Sequence, residues 1–260
     1  MHPNESAMGR SVLSCVPASV ALALVLALGP STLRAEAGAK SPSFSAPLDV
    51  SNRFVVFVPG AVKVFSGREG GEPVTLVQTQ LRRTRAFDWQ GTLVTCAILE
   101  DLKFLGGVPA GREEMYIAQA DDGSVWSFGE VEDDEPDDDD ADDEEEPGGW
   151  IVGARSASDP EDVVTGAQPA LYMPADPQIG DEWMLEDAPP EFVKTSRVER
   201  TAARVSTGAG RHTECLRVLE LDIPDGTTET RWFAPGAGLV GNRERGGRLA
   251  LTASTIRPRR

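Results

Sequence analysis

The sequence predicts an all-β fold: an antiparallel sandwich or an open, curled barrel of about ten strands, carrying a disordered acidic loop. Three observations predict it. Turn signals recur at short intervals, at Pro59-Gly60, Gly67 to Gly71, Asp122-Gly123, Gly148-Gly149, Asp225-Gly226 and Gly246-Gly247. The runs between them are short and rich in Val, Leu, Thr and aromatic residues, which suits a pleated, half-buried surface. Beyond the N-terminal region, no stretch repeats apolar residues at helical spacing for about 11 residues.

In chain order, the expected strands are FVVFV (54–58), AVKVF (61–65), VTLVQTQL (74–81), TLVTCAIL (92–99), MYIAQA (115–120) and SVWSFGEV (124–131). CLRVLELDI (215–223), TETRWFA (228–234) and RLALTASTI (248–256) follow. In EFVKTSRVERTAAR (191–204), Val193, Thr195 and Val198 build no helical apolar stripe, so the segment reads as a strand or strand pair. Two hairpins stand out, around Asp122-Gly123 and Gly246-Gly247, pairs suited to the positive φ of a type I′ turn. APGAGLVG (234–241) lacks the Lys-Ser/Thr of a phosphate loop. It reads as a turn into the strand starting at Leu239.

The N-terminus has the order of an export signal. Arg10 precedes an uncharged apolar run over 12–28, then Gly29-Pro30 and the small-x-small site Ala35-Glu36-Ala37. Met8 is an alternative start, since the residues before it carry no export information. A membrane anchor needs about 20 apolar residues, whereas this run is shorter and contains Ser14, Pro17 and Ser19. Cys15 lies inside the run, which argues against lipoprotein acylation. The expectation is a signal peptide over 1–37, cleaved after Ala37, with no transmembrane anchor left. The product is a periplasmic or extracellular protein of about 220 residues, enough for one core. Within it, 38–49 reads as a flexible N-terminus and 50–256 as a single β domain.

After cleavage, Cys96 and Cys215 remain. An even pair in an oxidising compartment predicts a Cys96–Cys215 disulfide, with two buried thiols as the alternative.

The net charge of −17 is concentrated: fourteen acids lie between Glu130 and Glu146. The rest of the chain is close to neutral and has no basic stripe, which excludes nucleic acid as a partner. Few apolar residues and dense like charge make 130–149 a disordered insertion in the β domain. No cofactor is expected beyond weak, diffuse Ca²⁺ at Asp137, Asp138, Asp139, Asp140, Asp142, Asp143, Glu144, Glu145 and Glu146.

No catalytic residue is assigned. His212 is the one histidine after residue 37, and on a strand its spacing to Cys215 puts the two on opposite faces. Acid pairs at Glu113-Glu114, Asp181-Glu182 and Glu186-Asp187 keep a carboxylate-dependent hydrolase as one alternative. Trp89, Trp126, Trp150, Trp183 and Trp232 keep a carrier of an apolar ligand as another. The leading expectation is an exported, non-enzymatic binding or structural module; the sequence names no partner or specific activity, and a cell-envelope component is the candidate partner.

Three segments, EEMYIAQADDGSVWSFGE (113–130), PALYMPADPQIGDEWM (169–184) and TETRWFAPGAGLVGNRERGG (228–247), resemble an uncharacterised family of secreted bacterial β proteins. The resemblance covers roughly residues 50–256. It implies one compact β domain and no particular activity. The chain departs from it at 130–146, where the family has a shorter, less acidic loop.

Overall fold

The computed structural model describes residues 41–133 and 148–256. The expected signal peptide (1–37) and the expected calcium positions (137–146) lie outside the described residues. Ser41–Arg260 form one compact unit, and no helix among the described residues is long and apolar enough to cross a membrane.

The chain is all-β, with fourteen strands rather than about ten. The first five are β1 (Val62–Glu69), β2 (Glu72–Trp89), β3 (Thr92–Leu105), β4 (Val108–Gln119) and β5 (Val125–Asp133). Next come β6 (Gly149–Val152), β7 (Val164–Ala167), β8 (Ala170–Met173), β9 (Glu182–Ala188) and β10 (Phe192–Thr207). The last are β11 (Gly210–Asp222), β12 (Thr228–Ala234), β13 (Gly238–Glu244) and β14 (Gly247–Ser254). The excess over ten comes largely from β6 to β9, which are short and lack the Val-rich alternation that marks longer strands. All neighbours pair antiparallel except β6 with β7. The order β7-β6-β5-β4-β3-β2-β1-β14-β13-β12-β11-β10-β9, with β8 also on β5, brings β8 against β9. The sheet is therefore nearly closed and barrel-like.

Turn chemistry sets the register. Gly70-Gly71 and Gly106-Gly107 each put two consecutive residues at positive φ (57° and 95°; 58° and 91°), as a two-residue type I′ hairpin requires. They lock Glu69 opposite Glu72 and Leu105 opposite Val108. Neither hairpin singled out in the sequence uses that turn. At Asp122-Gly123 only the glycine has positive φ, and the loop closes by Ala120 N donating to Ser124 O at 2.8 Å. Gly247 is not at positive φ; a Cβ there would sit 2.5 Å from the Arg68 carbonyl oxygen, so close strand approach is what requires glycine.

The run 54–58 is not a strand. It follows Val50 as an irregular segment that inserts Phe54 and Val55 into the core. Side chains stand in for the missing ladder: the Gln80 amide donates to Val56 O at 2.7 Å and accepts from Val58 N. Of the expected flexible stretch 38–49, the described part is anchored. Ser45 N donates to Asp121 at 2.8 Å, and Phe44 meets Phe128 edge-on at 5.4 Å.

One end of the interior is apolar, with Ile117, Val198, Val218 and Phe233 packed around Tyr172, Phe54 and Val55. Each such side chain contributes about 1.5–3 kcal/mol by burial. A second cluster of Phe87, Cys96, Ile98, Tyr116, Phe128 and Trp150 covers the other face of β3 and β4. That is why Cys96-Ala97-Ile98 and Tyr116-Ile117-Ala118 are buried without alternation. Cys215 belongs to a third cluster, with Phe65, Ala234, Val240 and Leu251. The two cysteines are free buried thiols in separate clusters; the expected disulfide is not formed.

Candidate functional site

At the other end of the interior, the inward-facing files change from apolar to charged within one step of the strand period. Leu99 is followed by Asp101 on β3, Met115 is preceded by Glu113 on β4, and Val218 is followed by Glu220 on β11. On β12, Phe233 is preceded by Arg231 and then Glu229. Antiparallel pairing aligns these files: Asp101 lies opposite Glu113, Glu113 opposite Glu132, Met115 opposite Glu130, and Glu220 opposite Glu229. The acids that face one another thus come from different strands.

Arg231 is the central cation. Its Nε lies 3.1 Å from Glu220 and its Nη2 lies 2.8 Å from Glu229. Burial alone would lower its pKa, but Glu220 and Glu229 outweigh that and hold it charged. Lys194 lies 2.5 Å from Glu186. Burial opposes its charge too, and Glu186 with Glu130 keeps it protonated. Lys63 is buried, donates to Leu239 O at 3.3 Å, and is pushed down to about 8 by burial, against the pull of Asp101.

The carboxyls move the other way. Burial, with Glu186 nearby, pushes Glu130 up to about 8. Burial raises Glu220 to about 7, with Glu229 adding and Arg231 opposing. Asp101 rises to about 6 through burial. Glu113 sits well above the usual carboxylate range, from burial and then the Glu130 and Asp101 charges. These shifts follow from acids placed in low dielectric beside one another. Glu113, Glu130 and Glu132 bring carboxylate oxygens within 4.8 Å of one another; among the described residues they are the group spaced to share one divalent ion.

Two acceptors of this cluster have no donor. Asp101 Oδ1 and Glu229 Oε1 are shut off from solvent without a hydrogen bond, and the equally buried Glu220 Oε2 is met by Arg231 Nε at 3.1 Å. Glu220 and Glu229 line a cavity of about 410 Å³ at this end, with Glu69, Lys194, Asp222 and Glu244.

The acid pairs singled out in the sequence do not form two-carboxylate sites. Glu113 faces inward while Glu114 accepts from Arg83 and Arg112. Glu186 pairs with Lys194 while Asp187 is exposed. Asp181 accepts from Gln178 N at 2.7 Å while Glu182 lies 3.3 Å from Arg197. His212 Nε2 sits 3.2 Å from Thr207 Oγ1, and Cys215 is buried apart from it. The tryptophans are dispersed: Trp183 in the first cluster, Trp89, Trp126 and Trp150 in the second, Trp232 in the third.

Sequence reasoning missed Asp101, Lys194, Glu220, Glu229 and Arg231. The signal was strand alternation, which puts each on the file of an inward apolar residue: Asp101, Glu220 and Arg231 two positions from Leu99, Val218 and Phe233, and Glu229 and Lys194 four positions from Phe233 and Val198. It also merged Glu130 and Glu132 into the acidic insertion, whereas both belong to β5 and Gly149 to β6. Comparison with protein-family models, with curated proteins and with solved structures finds no match in any of the three.

Proposed function

We propose that this protein is an exported, non-enzymatic binding module that receives a cationic ligand at the acid-lined end of its barrel. The observation that carries the reading is a cavity of about 410 Å³ lined by five acids, Glu69, Glu220, Asp222, Glu229 and Glu244, against the two cations Lys194 and Arg245, with Glu229 Oε1 accepting no hydrogen bond. A buried acceptor left without a donor costs about 1–3 kcal/mol, and a ligand bearing N–H groups would supply the donors. The volume falls in the range of small-molecule sites, about 300–1,000 Å³. The sequence of residues 1–37 supports export. The dispersal of the tryptophans and the packed apolar interior weigh against a carrier of apolar cargo.

A thermal-shift panel tests the reading, because a ligand that binds only the folded state raises the melting temperature in proportion to log concentration. Small organic cations should stabilise the protein where neutral and anionic molecules of the same size do not. Equal shifts from all three classes would reject a cation-selective site.

A further inference from the structure

A second cavity, of about 590 Å³, lies at the opposite end of β11 and β12, where β11 starts and β12 finishes. Two bulges shape it. Ala202 on β10 and Glu214 on β11 take positive φ (56° and 55°) although neither is glycine, and the β10–β11 register slips between Arg200 and Ala203. Bulges bend a strand pair. Here the hairpin tip reaches β14, where Ala209 N donates to Leu251 O at 3.0 Å. One wall of the cavity is the start of β11, the other is the end of β14, and the turn after Ala234 closes the bottom. Non-glycine residues held at positive φ are costly and concentrate at functional sites.

The lining is apolar with a single unanswered charge. Ala234 and Leu251, both 2 % exposed, lie deepest, with Pro235, Ala237, Ala253 and Ile256 around them. No Phe, Tyr or Trp lines it, so nothing there favours the stacking of a flat ring. Glu214 is the one acid in the lining, and Arg53 meets it at 2.9 Å. Burial, and then Lys63, lowers the pKa of His212, so near neutral pH it offers an uncharged ring rather than a cation. Arg211 and the Thr213 hydroxyl share one face of β11, and neither has an ion-pair or hydrogen-bond partner among the described residues.

We infer that this cavity binds an aliphatic carboxylate, its chain lying over Leu251, Ala234 and Ile256 and its head held by the Arg211 guanidinium with Thr213 beside it. A guanidinium presents two parallel N–H donors to a carboxylate, and the chain covers apolar surface that water otherwise wets. The site lies outside the packed interior of the barrel. It is separate from the acid-lined end and does not depend on that reading.

The test is calorimetric titration of the full chain with octanoate, acetate and octan-1-ol at neutral pH and 0.15 M sodium chloride. At that ionic strength, exposed charges are screened beyond about 8 Å, which limits repulsion of the anion by the acidic stretch. Octanoate should bind at one saturable site. Acetate has the head without the chain and octan-1-ol the chain without the charge, so each should bind at least fivefold more weakly. Arg211→Gln should weaken octanoate binding at least fivefold, and Ala253→Trp, which fills the cavity, should abolish it. Arg243→Gln, exposed and outside the cavity, should change nothing. Arg211→Gln serves if Ala253→Trp fails to fold. If octan-1-ol matches octanoate and binding survives Arg211→Gln, the cavity takes apolar chains and the carboxylate assignment is wrong. If octanoate does not bind, or binds both variants as tightly as the parent, the proposal falls.

Discussion

Arg231 and Glu220 meet across β12 and β11 at 3.1 Å, with the glutamate side chain only 4 % exposed. They sit one diagonal step apart, because Val218 is opposite Arg231 and Glu229 is opposite Glu220. Such a pair contributes little net stability, since desolvating both ions offsets most of their attraction. Apolar residues of similar volume would continue the core formed by Val218 and Phe233 at lower cost. Charge here is thus a departure from packing logic, of the kind that marks binding sites.

Removing the guanidinium should be costly in a particular way. Arg231→Met leaves Glu220 and Glu229 as buried charges without compensation, so the expected loss is about 3–5 kcal/mol. Adding Glu220→Gln and Glu229→Gln in the same chain should restore most of that loss. Urea unfolding measures it; a single-variant loss below about 1 kcal/mol would show that the pair is solvated.

Stability should fall as pH rises from about 4.5 to 8. An unfolded glutamate titrates near 4.3, whereas Glu220 is raised to about 7 and Glu130 to about 8 by burial. Between the two values the folded chain holds a proton that the unfolded chain has released. Each such group then lowers stability by up to about 1.4 kcal/mol per pH unit. Asp101, raised to about 6, acts in the same direction. Lys63, lowered to about 8, carries a constant penalty below that pH and is relieved as pH rises towards 10.5. The profile therefore has its minimum near pH 8. Asp121 and Asp159, held below the usual range, lose their contribution only below about pH 4. Melting temperatures from pH 5 to 9.5 at fixed ionic strength should show the dip, and Glu220→Gln should flatten its acidic limb. A steady rise from pH 5 to 8 would contradict it.

The sheet was legible because composition and turn residues act locally. VTLVQTQL and CLRVLELDI state their strands outright, and the turn at Gly70-Gly71 follows from what two adjacent glycines permit. FVVFV misled because it has strand composition but enters the core as an irregular segment; the Asn52 side chain meets Phe54 N and Val55 N, and the Gln80 amide meets Val56 O and Val58 N, in place of a ladder. The site was nearly illegible for a related reason. Glu113-Glu114 and Glu186-Asp187 stand out as neighbours in sequence, yet the period of two sends neighbours to opposite faces. Acids that face one another lie opposite across a ladder, as Glu113 and Glu132 do, and that depends on register. The bulge between Tyr116 and Ile117 sets this register and leaves no trace in composition.

The two cysteines should behave as inert thiols. Burial pushes Cys96 up, against the pull of Arg85, and burial raises Cys215 as well, so little reactive thiolate forms near neutral pH. Native protein should react slowly with a thiol-directed disulfide reagent, and urea should release both thiols without reductant. Non-reducing peptide mapping that recovers a Cys96–Cys215 bridge would overturn this and return the pair to the sequence expectation.

The acidic stretch beyond β5 should be removable without loss of the fold, provided the cut respects the strands. Glu132 and Glu130 belong to β5, so an excision starting at 132 would take a strand end with it. The sheet already holds the two ends of 134–147 together: Glu132 N donates to Gly148 O at 3.0 Å and Val131 pairs with Gly149. A four-residue Gly/Ser connector therefore spans the gap, and shortening a surface loop changes closure entropy only logarithmically. Apart from two prolines and Ala141, the stretch is entirely acidic, so it contributes almost nothing to a core. The melting temperature of the shortened protein should stay within about 2 °C of the parent in low-calcium buffer. The excision also removes most of the net charge, so calcium-dependent compaction should largely vanish when compared with sodium at equal ionic strength. If the shortened chain fails to fold, the stretch is structural. If it folds and keeps the full calcium response, calcium acts on the sheet, where the carboxylates of Glu113, Glu130 and Glu132 lie within 4.8 Å of one another. Glu113→Gln in the shortened chain should then abolish the response.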